Sequence, residues 1–459
     1  MTQEHQVSSP ALASASLPKW NQHAAGLDIG DSEIYACVPV DRDAQPVRSF
    51  LTFTADLHAL ADWLQQCGIE TVAMESTGVY WIPIYEILEA RGFQVYLVNA
   101  RQLKNVPGRK SDVADCQWIQ QLHTYGLLRG SFRPPEEIAA LRALVRHRDT
   151  LIQYRAAHIQ HMQKALQLMN LKLTNVLSDI TGVTGMKIIR AIMAGQHDPH
   201  VLAQYREPGC HKSEAEIAKS LQGHYKAEHL FVLRQAVELY DMYDQQIRAC
   251  DGEIEAMYQA ATPSNPDGHP PTQPPLPKRQ KRRKNQAHFD LARSLYRIVG
   301  VDLTRIAGID ALTAQTIISE IGLDMDKWPS VKHFASWLGL APLNKQSGGK
   351  VLNSHLPKTQ NRANTALRIA AQSVARSNTA IGAYYRRVKA QHGAAVAIVA
   401  TAHKLARIVY HMLKYRQDYH EAGAQAYEQQ YQERAIRNLK RRAEQFGFRL
   451  DPIAQPSVS

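Results

Sequence analysis

The 459-residue sequence is poor in cysteine. It has five, Cys37, Cys67, Cys116, Cys210 and Cys250, and no two stand in a CxxC spacing. That scarcity excludes a disulfide framework and a thiolate zinc centre, and it fits a reducing, cytoplasmic setting. No apolar run approaches the roughly 18 residues that cross a bilayer, so no membrane partner is expected. Residues 1–24 are rich in Ser and Ala but lack the apolar segment of a secretory signal, and a disordered tail is expected there. Acidic residues are in deficit, 42 against 54 Lys and Arg, which leaves a net charge of +12 and suits an anionic partner such as nucleic acid. The deficit is uneven. Residues 1–140 hold 10 basic and 16 acidic residues, and the remainder holds 44 and 26. An acidic N-terminal region on a basic body is odd for a protein that only coats DNA, and it makes sense if some of the acids bind cations.

The pattern of apolar residues predicts an α/β domain over 25–140. "AAGLDIG", "EIYACVPVD" and "VRSFLTF" read as strands, "DLHALADWLQQCG" as a helix, "ETVAME" as a strand, "WIPIYEILEARG" as a helix and "FQVYLVNA" as a strand. A helical region follows at 141–260. Val145, Ile152, Ile159 and Leu166 recur every seven residues, as do Leu233, Tyr240, Ile247 and Ile254, which predicts two long helices in a coiled coil or antiparallel hairpin. Arg148 and Arg155 interrupt the other seam position. Core helices of an ordinary helical domain would read the same way.

Residues 261–290 form a Pro-rich linker that ends in a basic run, Lys278, Arg279, Lys281, Arg282, Arg283 and Lys284. The run suits a solvated tether and a phosphate-binding arm equally well. A mostly helical, Ala-rich domain is expected over 291–420. Within it "IAGIDALTAQTIISEIG" (306–322) has the look of a helix-hairpin-helix turn that offers backbone N–H groups to a phosphate, echoed weakly by "ITGVTGMKIIRAI" (180–192). Residues 421–459 are expected to add a basic extension with Arg434, Arg437, Lys440, Arg441 and Arg442 on a helix.

Four acids stand out by position. Asp28 lies in the first strand, Glu75 ends a later one, and Asp112 and Asp115 open the next helix three residues apart. Taken singly, each has an ordinary explanation as a helix cap, a dipole partner or a turn residue. Taken together, four hard oxygen donors from separate segments can hold one or two Mg²⁺ ions, with Mn²⁺ as a substitute. Arg109 and Lys110 stand just before the pair, where they either meet a nucleic-acid backbone or balance the acids.

A second informative run is "LNKQSGGKVLNSHLPKTQNR" (343–362). Ser347 sits beside Gly348 and Gly349 in what reads as an open loop, flanked by Lys345 and Lys350 and followed by Lys358, Arg362 and Arg368. These residues suit a phosphate grip. They also suit a serine nucleophile with cations for the developing phosphorane charge, provided the hydroxyl is activated. His355 is a candidate base.

The segments "GLDIG", "AMESTGVYWIPIYEIL", "LVNARQLKNVPGRKSDVADCQWI", "LRALVRHRDTLI", "AGIDALTAQTIISEIG" and "FASWLGLAPLNKQSGGK" fall in the order of the insertion-sequence-110 transposases, and over roughly 25–170 and 300–415 the chain resembles that family. The resemblance implies an RNase H/RuvC-like domain with a DEDD metal site on Asp28, Glu75, Asp112 and Asp115, and a transposase domain with its catalytic serine at Ser347. It further implies site-specific excision and insertion of a mobile element, guided by a structured bridge RNA. Ser347 would attack a DNA phosphate and form a covalent link. A homo-oligomer, dimer or tetramer, acting in the cytoplasm on nucleoid DNA, is also implied. The N-terminal tail, the linker, the C-terminal extension and an insertion near 180–225 depart from the compact family pattern. Two other readings fit the residues: a RuvC-like nuclease or Holliday-junction resolvase that uses metal-activated water and no covalent link, and a non-enzymatic nucleic-acid-binding protein.

Overall fold

A computed structural model describes residues 18–76, 78–99, 112–263, 284–359 and 361–451, without the side chains of Lys345 and Gln346. The chain divides into two units, 1–133 and 134–459.

The first unit is built on a five-stranded sheet: β1 (Ala24–Ile29), β2 (Glu33–Cys37), β3 (Val47–Leu51), β4 (Thr71–Glu75) and β5 (Gln94–Val98), in the order β3-β2-β1-β4-β5. The first three strands form an antiparallel meander, and β4 and β5 join parallel to β1. A parallel connection needs a crossover, and the helices supply it. Helices α1 (Thr54–Gln66) and α2 (Trp81–Ala90) bury Leu57, Leu60, Leu64, Ile84 and Leu88 against Leu27, Val72 and Met74 of the sheet. Helix α3 (Asp112–Thr124) packs on the other residues of the strands, with Ile119 against Ala73 and Val98.

That second packing depends on small side chains. A Cβ added at Gly26 would lie 2.3 Å from the backbone nitrogen of Gln120 and 2.5 Å from the carbonyl oxygen of Cys116. Only hydrogen at Gly26 lets the backbone of α3 lie directly on β1. Gly26 is paired in register with Ala73 of β4, so the two smallest positions stand side by side under the helix. The far end of α3 is held by His123, whose Nε2 lies 2.8 Å from the Thr71 hydroxyl oxygen. Burial lowers the His123 pKa to about 4 and keeps the ring neutral.

The second unit is helical apart from one hairpin. It runs α4 (Glu136–Leu168), α5 (Leu173–Val176), α6 (Val183–Met193), α7 (Pro199–Ala203), α8 (Glu214–Ser220), α9 (Ala227–Ala260), α10 (Leu291–Val299), α11 (Ala311–Ile321), α12 (Val331–Trp337), strands β6 (Leu343–Ser347) and β7 (Lys350–His355), then α13 (Arg362–Ser373), α14 (Ala380–His392), α15 (Ala394–Tyr415) and α16 (Gly423–Gln445). The long helices α4 and α9 pack along one another. The short helices α5–α8, of which α6–α8 lie within 180–225, build a compact core with the ends of that pair through Leu166, Leu173, Ile188, Leu202 and Leu233.

The arginines that interrupt the heptad seam are ion-paired within it. Arg148 Nε donates to Asp251 at 2.5 Å, with both side chains almost fully buried, and Arg155 pairs with Asp244. The last part of the stretch read as a linker, from 284 to 290, docks on the same network. Arg148 donates to the Asn285 carbonyl at 3.0 Å, Arg155 to its side-chain oxygen at 2.6 Å, and His288 Nδ1 lies 2.7 Å from Asp251. On the other side of α4, Arg142 donates to the Ser319 and Glu320 carbonyls at the end of α11, and Arg146 grips the Glu320 carboxylate at 2.9 and 2.7 Å. Segments before and after the linker therefore share one body.

A buried ion pair loses far more when one partner is removed than when both are. Arg148→Ala is expected to cost about 3–5 kcal/mol of stability, whereas Arg148→Met combined with Asp251→Leu restores most of it. Calorimetric unfolding of the full chain measures both. At the other unit, Gly26→Val is expected to cost about 3 kcal/mol, because the clash is with helix backbone that cannot step aside. A variant that melts like wild type sinks that account of the helix-on-strand contact.

Candidate active site

The register that pairs Gly26 with Ala73 also sets Leu27 beside Met74, so one residue further Asp28 and Glu75 come level at the carboxyl ends of adjacent parallel strands. Side chains two apart on a strand share a face. Asp28 thus points to the side of Gly26, and Glu75 to the side of Ala73, which is the side that α3 covers. Asp112 and Asp115 open α3 at that edge. The four acids are brought to one edge because two strands end level and one helix begins at that edge, at the end of the sheet where functional groups gather in α/β folds.

Their proximity is felt by Asp28. Its pKa is pushed up to about 6, first by burial and then by the negative charges of Asp112, Asp115 and Glu75. Among the described residues no three such side chains stand together in ligating geometry. The carboxylates are neighbours that repel, not a closed cage. That donor set fits a hard divalent cation, which would relieve both the repulsion and the cost of burying Asp28. Asp28, Glu75, Asp112 and Asp115 are the residues that could hold it.

A fifth group in this area was not read from the sequence. Tyr35 is the register partner of Asp28 on β2, so its side chain shares that face, and its hydroxyl donates to Glu33 at 3.1 Å. The bond to Glu33 raises its pKa, and the negative charge of Asp112 adds to the shift. An antiparallel partner cannot be picked from a linear sequence until the register is known. Gly26 was not singled out either, although a glycine two residues before a strand aspartate leaves room on the aspartate's own face and could have marked it.

Ser347 lies in the second unit, and its surroundings differ from the open loop expected. It is the last residue of β6, paired with Lys350 across a two-residue turn made by Gly348 and Gly349, whose φ values are +54° and +76°. Positive φ at both central positions is the hairpin turn that matches the twist of the strands, and glycine adopts it without strain. A Cβ at either glycine would meet nothing within 4 Å, so the tip stands open to solvent. Ser347 and Lys350 are both exposed there. His355 pairs with Leu343 at the opposite end of the hairpin, about 17 Å along the strand from Lys350 at ~3.3 Å per residue. That removes it as a base for Ser347 within this chain.

Two other expected phosphate contacts are engaged internally. Arg362 pairs with Asp149 at 3.1 Å, and Lys284 with Asp179 at 3.1 Å. Lys358 lines a hollow beside Gly339 and Asn364. The turn at 306–310 is also less available than expected. Its helix start is capped by the chain's own Asp310, which accepts from Thr313 N at 2.9 Å. Arg109, Lys110, Lys278, Arg279, Lys281, Arg282 and Arg283 lie outside the described residues, as does the side chain of Lys345.

Residues 25–171 match a transposase family model, the DEDD domain of the IS110 transposases, and residues 302–386 match a second, described as transposase of the IS116/IS110/IS902 family. The chain belongs to the IS110 family of transposases. The first match contains Asp28, Glu75, Asp112 and Asp115, and the second contains Ser347. The family's DEDD domain is RNase H-like, in keeping with the mixed five-stranded sheet. The insertion element IS110 43.6 kDa protein of Streptomyces coelicolor is 32% identical over 90 residues. That match spans 19% of this IS110-family chain and 22% of the Streptomyces protein. No helix among the described residues is long and apolar enough to cross a membrane.

The raised pKa of Asp28 makes a testable statement about stability. Because the folded-state pKa lies above the ordinary carboxylate value of 3.8, this group's contribution is present below pH 4 and lost as pH rises through about 6. Without divalent ions, Asp28→Asn is therefore expected to melt higher than wild type at pH 7–8 and equally at pH 4. Added Mg²⁺ or Mn²⁺ raises the melting temperature of wild type and not of the variant. Scanning calorimetry at the two pH values decides it.

Proposed function

We propose that this protein is the transposase of a mobile insertion sequence, cutting and rejoining DNA through Ser347 with a divalent-metal site on Asp28, Glu75, Asp112 and Asp115. The observation that carries the reading is the convergence of those carboxylates on Asp28, within a chain of the IS110 family. Mg²⁺ held there would act as a Lewis acid on a phosphate oxygen and stabilise the charge that builds up in phosphoryl transfer. Ser347 Oγ forms a bond to the phosphorus as the bond from phosphorus to one strand oxygen breaks. The serine proton is balanced by protonation of the departing strand, which leaves a free hydroxyl end and a phosphoserine link. Lys350, exposed beside Ser347 at the hairpin tip, suits the anionic phosphate in flight.

The reading extends to a structured guide RNA that selects target and donor DNA by base pairing. The excess of 44 basic over 26 acidic residues beyond position 140 supports binding to backbone and shape. It extends also to a homo-oligomer in which the long helices α4 and α9 form a coiled-coil assembly, and to a site of action on DNA in the cytoplasm.

Ser347→Ala is expected to abolish covalent protein–DNA adducts and recombination while nucleic-acid binding stays within about twofold of wild type. Denaturing gels of the trapped cleavage product read it. Adducts that persist without Ser347 sink the serine mechanism, and free 5′-phosphate ends with no adduct point to metal-dependent hydrolysis. Sequencing the RNA that copurifies with the protein tests the guide. Recovery of one structured species encoded beside the gene is the expected outcome.

A further inference from the structure

The C-terminal extension builds a cationic cluster against the helices before it, outside both matched family segments. Helix α16 is anchored at its start. Tyr427 is buried against Tyr384, its hydroxyl accepts from Arg387 at 2.8 Å, and Glu428 pairs with Arg387 at 2.7 Å. The next turns of α16 bring Arg434 towards α15. There Lys404 lies with its Nζ 4.6 Å from the Tyr384 ring centre and 4.7 Å from that of Tyr427, a cation–π seat between two rings. Arg387 stacks on Tyr427 and Tyr431 at 4.6 and 3.4 Å. Burial lowers the pKa of Lys404, and the charges of Arg434, Arg387 and Arg407 lower it further against a small opposing effect of Glu421. Among the described residues Lys404, Arg407 and Arg434 form no ion pair, and Arg407 and Arg434 are exposed. Gathering uncompensated cations costs free energy unless an anion joins them.

The cluster adjoins a groove. Tyr384 also lines a hollow of about 620 Å³ with Leu340, His355, Arg368, Val396 and His403. A second hollow of about 300 Å³ contains Lys358 and Asn364 and shares Leu340, Leu356, Arg368 and Val399 with the first. His355 is the last residue of β7, so the groove opens at the base of the hairpin whose tip carries Ser347. Apolar floor, aromatic and imidazole rings, and cations at intervals are what a single nucleic-acid strand needs: rings for bases and charges for phosphates.

We propose that the two hollows and the Lys404–Arg407–Arg434 cluster form one track that binds a single nucleic-acid strand through its phosphodiester backbone, leading from the serine hairpin to α16. The shared chemistry is the phosphodiester, from a displaced DNA strand or an unpaired RNA segment. The track goes beyond the proposed strand transfer, because binding there needs neither Ser347 nor the four carboxylates.

The test uses full-length Ser347→Ala protein, so a failure of strand transfer leaves it readable. Fluorescence anisotropy with labelled 20-nucleotide single strands, one of DNA and one of RNA, measures affinity across salt concentrations. Arg407→Glu with Arg434→Glu is expected to weaken binding of at least one probe tenfold or more. The same double variant flattens the log–log salt slope by about 1.4, as loss of two backbone contacts on a single strand predicts. Arg434→Gln alone gives a smaller loss of the same sign. The charge-matched control Arg441→Glu with Arg442→Glu, further along α16, changes affinity less than twofold. The probe that shows the loss identifies the source of the strand. Equal losses from both double variants, or no loss from the first with melting temperature unchanged, overturn the track.

Discussion

The backbone-to-backbone contact between α3 and β1 at Gly26 is the constraint on which the candidate metal centre depends. A side chain there would lift the helix, and with it Asp112 and Asp115, away from the strand that carries Asp28. The neighbouring Ala73 keeps the same floor low under β4. Close packing in the middle of the sheet is thus converted into proximity of charge at its end. The cost appears in the pKa of Asp28, pushed up to about 6 first by burial and then by repulsion from the neighbouring acids. A site that is repulsive by itself and satisfied by a cation is a common physical form of a metal-dependent centre.

The second unit solves a different problem. Two helices of more than 30 residues must pack along a seam that contains arginines. Each arginine finds a carboxylate on the facing helix, and the pairs then recruit Asn285 and His288 from the end of the stretch read as a linker. Buried charge is expensive unless every donor is used, and here the returning segment uses the spare donors. One network therefore closes the helix pair and fixes where the basic linker re-enters the body. The same α4 reaches α11 through Arg142 and Arg146, which ties the serine-bearing region to the helices before the linker.

The hairpin at 343–355 is the exception in this helical body. Two strands alone are marginal in water, and β7 is exposed along its whole length. Its turn chemistry is strong all the same, since Gly-Gly supplies both positive φ values. Ser347 sits on a defined turn, and His355 lies at the other end of the hairpin from it.

The order of strands and helices in the first unit was legible in the sequence, because apolar periodicity of 2 and 3.6 follows from which faces are buried. So were the strand-end and helix-start places of Asp28, Glu75, Asp112 and Asp115, and the two long helices. The hairpin was read as a loop, because its strands alternate weakly and bury almost nothing. The pairing of Tyr35 with Asp28, of Arg148 with Asp251 and of Lys404 with two tyrosine rings was not legible at all. Side-chain period and turn chemistry are local and are written in neighbouring residues. Register, charge pairing and the convergence of four acids depend on contacts between distant segments, and only the packing of those segments decides them.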